Sequence, residues 1–292
     1  MKIVVYGKKF NDDATPYIKK LFDFLIKQGA EVFIDNNFAD FISKKFSLDS
    51  SLVIYKNPWL IKKDTDFLIS IGGDGTILDT ITSVRDSNIP ILGINTGRLG
   101  FLANNTQEDI EDAVINLMDG NFIIDKRTLI NLNYTDNHFE NDNFALNELT
   151  VHKNDSSSMM NIHAYVNGDF LNSYWADGLI IATPTGSTAY SLSCGGPILT
   201  PGSDNFVITP IAPHNLNLRP FVVKDDVIIT LKLEGRSNEF LATLDSRSVT
   251  IDRDTLLEIK RADFNINLVQ FENQNFFSTI RNKLMWGKDA RN

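Results

Sequence analysis

The apolar run Phe67-Leu68-Ile69-Ser70-Ile71 enters the turn Gly72-Gly73-Asp74-Gly75-Thr76 and leaves it as a helical pattern from Thr76 to Val84. A buried strand that passes through glycines into a helix is one half of a crossover unit, and the flanking sequence repeats that alternation. Ile3 to Tyr6 reads as a strand, and a helix opening near Thr15-Pro16 places Ile18, Leu21, Phe22 and Leu25 on one face before Gly29. Strands follow at Glu31 to Ile34 and Ile89 to Ile94. A further helix opens at Thr106, with Asp109 three residues later, and aligns Ile110, Ala113, Val114 and Leu117 before Gly120. The expectation is an α/β N-terminal domain, residues 1–124, with a mainly parallel sheet.

Beyond Phe122 the texture changes. Leu129 to Tyr134, Ile162 to Val166, Val227 to Leu233 and Leu256 to Ile259 are short and rich in β-branched residues, and helical periodicity nearly vanishes. Asn167-Gly168 between two such runs signals a hairpin, because both residues tolerate positive φ. A β-rich, sandwich-like C-terminal domain is expected over 125–271. The tail, 272–292, carries Phe276, Phe277, Ile280 and Leu284 at helical spacing and is expected to pack back on the first domain.

Composition narrows the function. With 292 residues, 42% of them hydrophobic, the chain is long enough for two domains with buried cores. The single cysteine, Cys194, excludes an internal disulfide, and no signal-peptide layout precedes Ile3, so a cytoplasmic location is expected. No apolar stretch approaches the roughly 18 residues of a membrane span. A net charge of −9 argues against nucleic acid as a partner, and no membrane partner is expected either. A small phosphorylated ligand remains open, since it needs only local donors.

The glycine turn supplies such donors. Its glycines let backbone N–H groups approach an anion, and the helix that follows adds unpaired donors and a partial positive charge. Its spacing is neither the dinucleotide fingerprint nor the phosphate loop with its lysine. Asp74 repels a phosphate unless a cation intervenes, so a chemical role is expected: a carboxylate beside an acceptor hydroxyl takes its proton as the phosphorus is attacked. The structural alternative makes Asp74 a helix N-cap.

Two more clusters belong with it. Asn95 to Leu102, directly after the strand ending at Ile94, falls at the same edge of a parallel sheet, where Phe101 suits a ligand wall better than a polar loop. Asp177 to Ser191, followed by Gly195-Gly196-Pro197, pairs a carboxylate with a dense run of hydroxyls and an aromatic ring. Such a run contributes little core and suits a ribose diol and a flat base. Asn147-Glu148 offers another amide and carboxylate, although a solvated bend is the ordinary reading of that dipeptide.

Taken in order, Gly72 to Thr76, Asn95 to Leu102, Asn147-Glu148, Asp177 to Ser191, Thr209 to His214 and Leu218-Arg219-Pro220 resemble the motif series of the NAD kinase family. The glycine-aspartate turn is shared with diacylglycerol and sphingosine kinases; Asn147-Glu148 and the Thr183 to Ser191 run single out NAD kinase. The resemblance implies transfer of the terminal phosphoryl of ATP to the 2′-hydroxyl of the adenosine ribose of NAD. It also implies a site between the domains, a divalent cation (Mg²⁺ or Mn²⁺), and a homodimer or homotetramer. Carried over by position, Asp74 is the general base, and Gly72, Gly73, Gly75 and Thr76 hold the phosphates of ATP. The NAD-binding residues would be Asp74, Gly75, Phe101, Asn147, Glu148, Asp177, Thr185, Thr188, Ala189, Tyr190, Ser191, Ser193, Ala212 and Arg247. Alternative functions are a lipid kinase of the diacylglycerol type and a non-catalytic NAD sensor.

The chain departs from the family pattern in places. Asp79 stands where many relatives carry a basic residue, and Asp245-Ser246 replaces an Asp-Gly pair ahead of Arg247. Trp175 occupies a variable position and leaves the choice between NAD and NADH open. His138, His152, His163 and His214 lack metal-ligand spacing and read as surface or packing residues, Cys194 as a small buried residue, and Ser156 to Ser158 as a loop. His152 and Lys153 could brush a substrate, but the ordinary reading is favoured.

Overall fold

The computed structural model describes residues 1–56, 64–97, 100–134, 139–154, 159–272 and 274–286; Arg98, Leu99, His138 and Ser156 to Ser158 therefore lie outside the described residues. The chain forms two compact units: Met1–Lys126 with the chain from Ile266 onward, and Arg127–Asn265.

The first unit contains β1 (Lys2–Gly7), α1 (Thr15–Lys27), β2 (Glu31–Asp35), α2 (Asn36–Ile42), β3 (Val53–Tyr55), β4 (Phe67–Gly72), α3 (Asp74–Val84), β5 (Ile91–Asn95), β6 (Asn105–Thr106) and α4 (Ile110–Asp119). Its strands run in the order β3-β2-β1-β4-β5 and are all parallel. From β1 the chain winds outward through β2 and β3, and from β4 it winds the other way to β5. Open α/β sheets bind ligands beyond the carboxyl ends of their strands where the winding reverses, and β4 ends there at Gly72.

Period-two alternation sorts the strand side chains. Ile3, Val5, Ile34, Ile69, Ile71 and Ile94 share one core with Ile18, Leu21 and Leu25 of α1 and Val114 and Leu117 of α4. On the other face, α3 closes so tightly on β5 that a side chain at Gly93 would meet Ile77 Cδ1 at 2.7 Å. Two elements escape a periodicity reading: α2 is only seven residues, started by Asp35 accepting from the Phe38 N–H at 3.0 Å, and β3 is three residues.

The chain enters the second unit along β7 (Ile123–Asn133) and continues through β8 (Phe144–Ala145), β9 (Glu148–Lys153), β10 (Met160–Val166), β11 (Asp169–Ala176), β12 (Gly178–Ala182), α5 (Tyr190–Ser193), β13 (Asn205–Ile211), β14 (Phe221–Lys224), β15 (Ile229–Glu234), β16 (Glu239–Leu244), β17 (Arg247–Asp252) and β18 (Leu256–Gln270). One antiparallel sheet runs β14-β13-β12-β9-β16-β17; the other runs β11-β10-β15 and on to the start of β18. Inward side chains of both, such as Leu149, Ile181, Phe206 and Ala242 facing Ile162, Leu231 and Ile259, form a single core. This is the sandwich expected from the sequence. The β10–β11 hairpin turns on Asn167 (φ 51°) and Gly168 (φ 86°), and Asn167 Oδ1 also accepts the Ile228 N–H at 2.9 Å.

The last residues of β18 return to the first unit, where Leu268 pairs in parallel with Ile91. Helix α6 (Phe276–Leu284) follows, capped by Asn275 Oδ1 on the Ser278 N–H at 2.8 Å. Its apolar stripe is only partly buried: Ile280 is inside, but Phe277 is 60% exposed and Leu284 also faces water. No described helix is long and apolar enough to cross a membrane.

Candidate functional site

Helix α3 begins two residues earlier than its periodicity suggests. Gly73 is its N-cap and Asp74 its first residue. The carboxylate does not cap its own helix: Oδ2 accepts the Phe101 N–H at 2.7 Å, and Oδ1 accepts those of Leu102 and Ala103, each at 3.0 Å. The Asp74 cap reading is therefore replaced by a bridge between two loops at the carboxyl edge of adjacent strands β4 and β5. Gly100 is what allows the bridge, since a Cβ there would fall 1.8 Å from Asp74 Oδ1. Gly73 and Gly75 are different. Both are exposed and a Cβ on either would meet nothing within 4 Å, so packing within the chain does not require glycine there. Open backbone at a helix start is the geometry an anion uses. Thr76, expected beside them, is buried and its N–H donates to Gly73 O at 2.9 Å.

The charges around this edge are arranged in pairs. Lys283 Nζ of α6 lies 3.6 Å from Asp74 Oδ2 and 4.5 Å from the centre of the Phe101 ring, which also packs on Phe276. Phe101 is nearly buried by these neighbours. Asp79 pairs with Lys8 and accepts from the Tyr6 hydroxyl at 3.4 Å. Burial first, and then Asp79, pushes the Tyr6 hydroxyl up to about 12.

The second unit gathers another group. The Asp245 side chain, 1% exposed, accepts three consecutive N–H groups: Leu146 at 2.9 Å, Asn147 at 2.7 Å and Glu148 at 3.3 Å. Asp245 reaches them from a left-handed turn position (φ 53°), so the β16–β17 hairpin closes without a glycine at Ser246. Aspartate is among the few residues that tolerate this conformation. Arg247 completes the corner, donating to the Asp142 and Phe144 carbonyls and lying over the Phe144 ring at 5.4 Å.

Glu148 is no solvated bend. It is 8% exposed at the start of β9, and its Oε2 has no hydrogen-bond partner among the described residues. Burial first, and then the Asp245 carboxylate, raises its carboxyl to about 8, against a lowering contact from the Tyr190 backbone. Burial also pushes Asp245 up, opposed by its three N–H donors and by Arg247. A carboxyl whose pKa is raised from 4.5 in the open chain to about 8 makes the folded protein bind the extra proton, so stability falls as pH rises between those values. Glu148→Gln should abolish that slope and gain roughly 2–4 kcal/mol over wild type at pH 8, with little gain at pH 4.5. Denaturant titrations at the two pH values measure it, and parallel slopes for both proteins would refute it.

The hydroxyl run differs from its expectation in one respect. Most of its hydroxyls bond inside the protein, making a polar core where little core was expected. Thr183 Oγ1 donates to Leu146 O at 2.6 Å, Ser187 Oγ to Pro184 O at 2.6 Å, and Thr188 Oγ1 to Thr185 O at 3.2 Å. Ser191 is fully buried with its hydroxyl on Thr209 at 2.8 Å, and Thr185 accepts from the buried Arg127 at 3.2 Å. Gly186 presses on the carbonyl of Asn147, where a Cβ would fall 2.1 Å from the oxygen. Exposed groups remain at Tyr190 and Ser193 of α5, with Thr188 and Ala189 half-buried before them. Asp177 is half-buried and held by Lys153 Nζ at 2.6 Å; Ala212 is exposed at φ 43°.

Each half thus collects its own members of the expected set: Gly72, Gly73, Asp74, Gly75, Thr76 and Phe101 in the first unit, the rest in the second. Sequence reasoning missed Lys283, Arg127 and the anchoring action of Asp245, and set Lys153 aside. A cation 209 positions from its partner leaves no local signal. His214 packs on Trp175 at 4.2 Å, His163 bonds to Ser173 at 2.6 Å and His152 to Lys153 O at 2.8 Å; Cys194 packs beside Ile180 and Val207.

Comparisons with known proteins follow both halves. Residues 3–122 match the family model of the ATP-NAD kinase N-terminal domain, and residues 146–271 that of the ATP-NAD kinase C-terminal domain. Two relatives, the NAD kinases of Cytophaga hutchinsonii and Flavobacterium psychrophilum, are 46% and 47% identical, with 100% of each chain covered. Among solved structures, yeast NADH kinase complexed with NADH superposes with a TM-score of 0.89 at 22% identity, covering 100% of this chain and 89% of that one. An NAD kinase from Archaeoglobus fulgidus in complex with ATP gives 0.76 at 26% identity, covering 98% and 99%.

Proposed function

The chain belongs to the NAD kinase family of ATP-dependent kinases, and from that premise we propose that it transfers the terminal phosphoryl group of ATP to the 2′-hydroxyl of the adenosine ribose of NAD, with Asp74 as general base. The ribose oxygen bonds to the γ-phosphorus, the bond from that phosphorus to the bridging oxygen breaks, ADP leaves, and the hydroxyl proton passes to Asp74. The supporting observation is the Asp74 carboxylate itself, fixed by the Phe101, Leu102 and Ala103 N–H groups at the start of α3. A base locked in direction gains from orientation as well as basicity. The open backbone at Gly73 and Gly75 suits the donor's phosphates.

In the second unit, Asn147, Asp177, Thr188, Ala189, Tyr190 and Ser193 keep surface for the dinucleotide, and Glu148, mainly protonated near neutral pH, donates rather than accepts. Among the described residues no group of three His, Cys, Asp or Glu side chains could hold a metal ion. Among those residues the Mg²⁺ or Mn²⁺ implied by the family finds no side-chain cage. A cytoplasmic homodimer or homotetramer completes the proposal.

ATP labelled on its γ-phosphate should transfer the label to NAD or NADH and not to diacylglycerol. Tight NAD binding with an unlabelled dinucleotide, under every divalent cation and with polyphosphate also tried, would reduce the protein to a sensor.

A further inference from the structure

We infer that Lys283 belongs to the phosphoryl-transfer site and contacts the phosphates of ATP: its ammonium, held against Asp74, also makes that carboxylate tolerable to an incoming polyphosphate. The inference rests on the reading of Asp74 as the base. A carboxylate beside a phosphate cradle needs a cation, and the place expected to supply one, shortly after the glycine turn, holds Asp79 paired with Lys8. Among the described residues the ion pair of Asp74 is with Lys283, at 3.6 Å. The pair is built rather than incidental. The ammonium stands over the Phe101 ring at 4.5 Å, and the Phe101 N–H is itself a donor to Asp74, so one residue orients both charges. The lysine side chain is 33% exposed, leaving part of its donor capacity for a phosphate oxygen.

The helix beneath is anchored. Ile280, one turn before Lys283, is buried, Phe276 packs on Phe101 with ring centres 6.4 Å apart, and Gln274 Nε2 donates to Asn105 Oδ1 at 2.8 Å ahead of the Asn275 cap. These contacts place the ammonium at the edge where β4 and β5 end. The same geometry explains its chemical use. When Asp74 accepts the ribose proton it becomes neutral, its attraction for Lys283 falls, and the unchanged ammonium is released toward the phosphate oxygens. Lys283 exchanges no atoms.

The test uses the full chain and its NADP-forming activity. Lys283→Met should raise KM for ATP by about tenfold, the loss of one charge-assisted contact, with KM for NAD within about twofold. Lys283→Arg should restore most of the difference. Ile280→Ala, which loosens the same helix but leaves the charge, should lower the melting temperature without separating the two KM values. An active enzyme in which Lys283→Met leaves KM for ATP unchanged, or in which Ile280→Ala reproduces the split while arginine fails to rescue, overturns the inference alone. A wild-type protein that forms no NADP overturns the underlying function first.

Discussion

Asp74→Asn is expected to fold, to bind NAD, and to form NADP at least about a hundredfold more slowly than wild type. The size of the loss follows from what the substitution leaves in place. The amide oxygen can still accept two of the three loop donors, those of Leu102 and Ala103 on Oδ1, while its NH₂ must face the Phe101 N–H. One lost bond of this kind costs about 1 kcal/mol, and one donor is left facing another. The loop stays near Gly100, but there is no longer an acceptor for the ribose proton, and Lys283 loses its partner. Calorimetry with NAD and a coupled NADP assay on the same sample separate the effects. NADP formation within about twofold of wild type would remove the proton-transfer role altogether.

Asp245→Ala should give the largest stability loss, about 3–6 kcal/mol, because three buried N–H groups lose their acceptor together. For a unit of this size that corresponds to a fall of about 10 °C in melting temperature. The binding consequence is separate. The N–H groups of Leu146, Asn147 and Glu148 are aligned by this carboxylate, with Gly186 pressing on the Asn147 carbonyl, so KM for NAD should rise more than about tenfold. The Glu148 carboxyl should also drop toward the ordinary range as a neighbouring negative charge disappears. Melting curves and NAD saturation curves test both parts; a variant that melts within about 2 °C of wild type would show that water replaces the acceptor.

These two residues mark how far the site was legible. Asp74 stood out because a lone acid among three glycines is chemically odd, and that oddness is local. Asp245 showed only as a departure from a turn pattern, since its work is done on residues 97 to 99 positions away. Glu148 looked like a bend because neither its burial nor its carboxylate neighbour is written in the dipeptide. The hydroxyl run misled in the opposite sense. Its hydroxyls seemed aimed outward, yet Ser187 and Thr188 each donate to the carbonyl three residues back, a use that composition does not reveal.

From the amino acids alone came the parallel first unit, the antiparallel second, the Asn167-Gly168 hairpin and the glycine turn with its acid. Each depends on apolar spacing or on backbone preference within a few residues, forces that act before distant segments meet. Only the folded chain decided which loop donors hold Asp74, which lysine faces it, and that Glu148 is buried with the Asp245 carboxylate nearby. Hydrogen-bond direction, charge separation and desolvation are set by the distances between remote parts of the chain, and those distances exist only once the sheets have placed their ends.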